Sequence, residues 1–88
     1  HAHRQQEEGV DLHEFCQRHG LQSCRLSYNR EDETYVAEFT PMRTPQFVKH
    51  VVVSRWWLTR ALARGTANER MLMQIFKTWA LKEYAKHC

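Results

Sequence analysis

Glycine and proline are scarce in this chain: three glycines (Gly9, Gly20, Gly65) and two prolines (Pro41, Pro45) stand among 88 residues. Collagen-like and low-complexity classes are thereby excluded. Cysteine is sparse too, at three, and Cys16, Cys24 and Cys88 follow no regular spacing. An odd, irregular set does not make a disulfide framework, so an intracellular, reducing compartment is expected. No apolar run approaches the length of about 20 residues that spans a bilayer, so no membrane partner is expected. The opening His1–Gly9 is polar and lacks the apolar centre of a signal peptide; it reads as a flexible arm (1–9) before a single module (10–88).

Catalytic signatures are missing as well. The chain has no Gly-rich phosphate loop and no paired-carboxylate pattern. Cysteine catalysis needs a thiol activated by a nearby base in a cleft, and nothing in the sequence provides that setting. We therefore expect no enzyme and no cofactor. His13, Cys16, His19 and Cys24 are all types that ligate zinc. The first three fall inside one predicted helix, where only near neighbours share a face. Cys16 is better used as a core residue, and no metal is expected.

What the chain does have is large apolar side chains. Three Trp, four Phe and three Tyr contribute to a hydrophobic fraction of 42%. That is enough for one small folded domain and too much for a disordered tail. Charge is uneven. Residues 1–54 carry six Lys/Arg against eight acids, a balance of −2; residues 55–88 carry seven against Glu69 and Glu83, a balance of +5. A basic half on a near-neutral body suits an anionic partner such as nucleic acid, or keeps a helix soluble.

The local patterns give an element order. Asp11 and Glu14 have capping-box spacing, Leu12, Phe15 and Cys16 share one helical face, and Gly20 can end the helix in a left-handed conformation. A first helix is thus predicted over 11–19. Cys24–Tyr28 alternates as a half-buried strand, 29–33 is a charged hairpin loop, and Thr34–Thr40 is a second strand. Pro41 and Pro45 do not fit a central strand, so 41–47 is predicted as a loop. Val48–Leu58 reads as a third strand, and Thr59–Arg64 as its extension or a helical turn. Thr66 and Glu69 form a Thr-x-x-Glu capping box. Met71, Leu72, Ile75, Phe76, Trp79 and Ala80 then make an apolar stripe on a long last helix that ends near His87. The fold class is therefore α+β, in the order α-β-β-β-α, with two helices on one face of a three-stranded antiparallel sheet.

Two patches carry a family likeness. Leu12-His13-Glu14-Phe15-Cys16-Gln17, with Tyr28 and Phe39 following in the strands, and Gly65–Met71 before the apolar stripe together resemble the double-stranded-RNA-binding domain over roughly residues 10–86. The resemblance implies a module of a larger RNA-processing protein that reads shape and phosphates. In that family the first helix and the loop between the first two strands meet successive minor grooves, and the last helix's N-terminus meets phosphates across the major groove between them. By resemblance, Glu14 and Gln17 would face one minor groove, and Asn29 and Arg30 would occupy the loop. Arg64, Asn68 and Arg70 would lie at the phosphates, with Lys77 further along the helix. The family's lysine run is replaced here by Asn68, Glu69 and Leu72. A second reading follows from that replacement: a degenerate domain of the same fold that binds protein or dimerises.

Trp56 and Trp57 are adjacent, so in a strand they would point to opposite faces. One would enter the core. The other would be an interface anchor, a base-stacking platform, or covered by the 41–47 loop.

Overall fold

The computed structural model describes residues 11–64 and 68–87. The expected arm over 1–9, Thr66 with its capping box, and Cys88 lie outside the described residues.

Helix α1 spans Leu12–His19. Asp11 caps it, the His13 N–H donating to Asp11 Oδ1 at 3.0 Å, and Gly20 ends it at φ 65° with its N–H on the Cys16 carbonyl. Glu14 turns to Arg18 (3.4 Å). Strand β1 (Leu21–Asn29) pairs antiparallel with β2 (Thr34–Pro41), and β2 pairs antiparallel with β3 (Lys49–Ser54), giving the order β1-β2-β3. Pro41 proves to be the last residue of the central strand. It is tolerated because the β3 pairing stops at Phe39, so only β1 flanks it there.

The predicted third strand is too long. After Ser54 the chain turns into a short helix α2, Arg55–Leu58, and a π-helical turn, Thr59–Ala63. Ser54 decides this, its Oγ accepting the Trp57 N–H at 3.0 Å as an N-cap does. Trp56 and Trp57 therefore stand on a helix and not on a strand. Trp57 packs on Trp79 at 5.2 Å between centroids while Trp56 faces solvent.

Helix α3 spans Glu69–Lys86. Its cap is Asn68, whose Oδ1 accepts from the N–H groups of Arg70 (2.9 Å) and Met71 (3.3 Å). Glu69 is thus the first helical residue, not the third helical residue after a cap at Thr66. The buried positions are Leu72, Phe76, Ala80, Leu81 and Tyr84. Met71, assigned to the stripe by spacing, is exposed.

The sheet's inner face carries Tyr35, Ala37 and Phe39 on the central strand, all buried. Both long helices cover this face. From α1, Phe15 lies 6.3 Å from Phe39 and 6.1 Å from Tyr84. From α3, Phe76 lies 5.4 Å from Tyr35, and Tyr84 stacks on Phe39 at 4.3 Å. The sheet's other face is open to solvent and includes Val52, which is exposed. The α+β class and the helix–three-strand–helix order are those expected, with α2 and its π turn added between β3 and α3.

Candidate nucleic-acid interface

The hairpin tip builds itself. Asn29 Oδ1 accepts from the N–H groups of Glu31 (2.9 Å) and Asp32 (3.2 Å), and Asn29 Nδ2 donates to Asp32 Oδ2 (3.2 Å). The turn closes through Glu33 in a left-handed conformation, φ 55°. The Asn29 amide is thereby committed to local turn structure. Arg30 points to solvent beside three carboxylates.

Arg55 joins this tip to the start of α3. Its N–H donates to the Glu33 carbonyl (2.8 Å), and its Nη1 meets Glu69 Oε2 at 2.6 Å. The pairing raises the Arg55 pKa further. Burial raises that of Tyr35, with Glu69 adding to the rise and Arg55 opposing it. The Tyr35 hydroxyl has no well-aligned hydrogen bond among the described residues, and the Arg55 side chain lies close enough to interact with it both by charge and as a donor.

The clamp matters because Glu69, a carboxylate at the start of α3, is ion-paired. Arg64 ends the π turn at φ 51°, its N–H on the Thr59 carbonyl, and Arg70 is the second residue of α3. Among the described residues, no carboxylate lies within ion-pair distance of Arg30, Arg64 or Arg70. Lys77 is two turns along α3 from Arg70 and close enough to Cys24 to oppose the rise in that thiol's pKa. In total this end carries Arg30, Arg55, Arg60, Arg64 and Arg70 against Glu31, Asp32, Glu33 and Glu69. It holds one net positive charge, with three of the acids gathered on the tip, Arg60 and Arg64 on the π turn, and Arg70 in the first turn of α3.

Of the residues predicted to share an interface, Asn29, Arg30, Arg64, Asn68 and Arg70 come together at this end. Glu14 and Gln17 do not join them. Both are exposed on α1, whose Phe15 packs beside Tyr84, about 22 Å of helix from Glu69 at 1.5 Å per residue. Asn68 also differs from expectation, since its side-chain oxygen already occupies two of the N–H groups that a phosphate would use.

Sequence reasoning missed Arg55 and Arg60. The signals were present: Ser54 has the position of a helix cap, and Trp56, Arg60 and Arg64 recur every fourth residue.

The two described thiols are poorly disposed to react. Burial raises the pKa of Cys16, and pushes that of Cys24 up to about 11, with Cys16 adding to the rise. Among the described residues, no group of three or more His, Cys, Asp or Glu gathers as metal ligands would.

No protein-family model, curated protein or solved structure matches this chain.

Proposed function

We propose that this domain binds structured RNA through the end of the fold where α2, the π turn and the start of α3 meet. The observation that carries the reading is the Arg55 clamp. It draws the start of α3 against the hairpin and neutralises Glu69, so that Arg64 and Arg70 face solvent beside a helix N-terminus. Lys77 continues the row along the same helix. The carboxylates of the tip repel phosphate, so contact concentrates on the α2–α3 side and the hairpin contributes mainly Arg30. Affinity for a plain duplex is then modest and carried by three or four phosphates. Recognition is of shape and backbone, with little sequence readout.

Titration of a duplex of about 16 base pairs at two salt concentrations tests this. Three or four contacts give a log–log salt slope of about −3, or about 60-fold weaker binding at about 200 mM than at about 50 mM salt. Arg64→Glu with Arg70→Glu should weaken binding at least about 10-fold and flatten the slope. Binding indifferent to both salt and charge reversal would refute the reading.

A second reading, a protein-interaction or dimerisation module, is favoured by a different surface. Val52 on the open sheet face, with Val48, Phe47 and Met42 around the β2–β3 connection, are exposed large apolar residues, and β3 is an edge strand.

A further inference from the structure

Residues 55–64 form an amphipathic segment. Leu58 and Ala63 are buried and Trp57 lies against Trp79, whereas Trp56, Arg60 and Arg64 fall on the outside at every fourth position. Trp56 is 67% exposed, more than any other large apolar residue among those described. An indole in solvent contributes little to folding, so the packing of this domain does not explain it. The 41–47 loop does not cover it either, since that loop joins the far end of β3 and its own Phe47 is 65% exposed. The Arg60 guanidinium sits 5.0 Å from the Trp56 ring centroid, a cation–π contact that weakly favours this placing of the ring. The result is an exposed aromatic plane with a guanidinium on one side and a second arginine one turn further on. No carboxylate lies within ion-pair distance of Arg60 or Arg64 among the described residues.

From this arrangement we infer that Trp56, with Arg60 and Arg64, is a stacking platform for an unpaired nucleotide strand that leaves a duplex held at the α2–α3 end. The inference rests on the RNA reading above and names the form of RNA that the site takes. The chemistry matches on both counts. A base offers a planar face to the indole and the guanidinium, and its phosphates offer negative charge to Arg60 and Arg64. The location matches too. Arg55, the residue before Trp56, is the clamp between hairpin and α3, so the platform starts at the clamp and continues along the same segment to Arg64.

The test compares a blunt duplex of about 16 base pairs with the same duplex bearing a short 3′ or 5′ adenosine tail, by fluorescence anisotropy. The wild-type domain should bind the better tailed form about 5- to 100-fold more tightly than the blunt one, the gain from one stacked base. Trp56→Ala should remove that gain and leave blunt-duplex affinity unchanged, and Trp56→Phe should keep part of it. Thermal melting of each variant checks that the fold is intact. Equal affinity for blunt and tailed duplexes, or equal losses on both with Trp56→Ala, overturns the inference and leaves the RNA reading standing. Trp56-dependent capture of an acidic, tyrosine-containing peptide, with no response to either RNA, overturns both.

Discussion

Leu72 and Met71 are neighbours on α3, yet Leu72 is 0% exposed beneath the helix and Met71 is 47% exposed on its back. Truncating each to alanine separates burial from every other property of the helix, because alanine has the best helix propensity and neither change breaks the backbone. Leu72→Ala removes a side chain from a closed core shared with Tyr35 and Phe76, which cannot fully collapse around the gap. The transfer and cavity terms together cost about 2–5 kcal/mol. For a domain of this size each kcal/mol lowers the melting temperature by about 4–8 °C, so Leu72→Ala should lose at least about 8 °C. Met71→Ala should stay within about 0.5 kcal/mol, under about 4 °C. Since the whole domain is worth about 4–13 kcal/mol, outright unfolding of Leu72→Ala also agrees with its burial. Circular-dichroism melting of the two variants side by side is the assay. Equal losses, or a larger loss at Met71, would show that α3 does not meet the sheet in this register.

Further outcomes follow from the caps and the thiols. Asn68→Ala removes the acceptor of two N–H groups at the start of α3 and should cost about 1 kcal/mol, read as a loss of about 4–8 °C in melting, while Asn68→Asp retains most of it. Cys24, with its pKa at about 11 against an ordinary 9.0, should be alkylated about 100-fold more slowly in the folded than in the unfolded protein near pH 8, as site-resolved mass spectrometry would show. The same shift has a sign for stability. The folded state keeps the Cys24 proton that the unfolded chain releases, so this contribution is full below about pH 9 and is lost as the pH rises toward about 11. A fall in stability through that range that is steeper in the wild type than in a Cys24→Ser variant, in which the raised Tyr35 still titrates, would locate the effect.

Much of the fold is legible in the residues because local signals agree with burial. Asp11 and Gly20 bound α1, the alternation of Thr34–Thr40 names the central strand and its inner face, and the long apolar stripe names α3. The misreadings occur where two signals compete. Val51–Val52–Val53 followed by Trp56-Trp57 has strand composition, and the cap at Ser54 together with the Arg55–Glu33 hydrogen bond overrides it. Met71 and Tyr84 both fit a helical stripe, and only the position of the sheet decides that Tyr84 is inside and Met71 outside. The candidate interface was legible as a set of charges but not as an arrangement. Pairing of Arg55 with Glu69 spans 14 residues and a strand-to-helix change, which no spacing rule reaches. Glu14 and Gln17, assigned by resemblance to a minor groove of their own, stand on α1, which docks beside the other end of α3.

Mapping the backbone amide resonances of the labelled domain during addition of a tailed RNA duplex bears most directly on which surface binds. Shifts should concentrate at Arg60–Arg64 and from Asn68 to Lys77, with smaller ones at Arg30, while Val36, Val52 and Met42 stay unmoved. Shifts centred on the open sheet face and the β3 edge, or none at any accessible RNA concentration, would contradict RNA binding at the α2–α3 end.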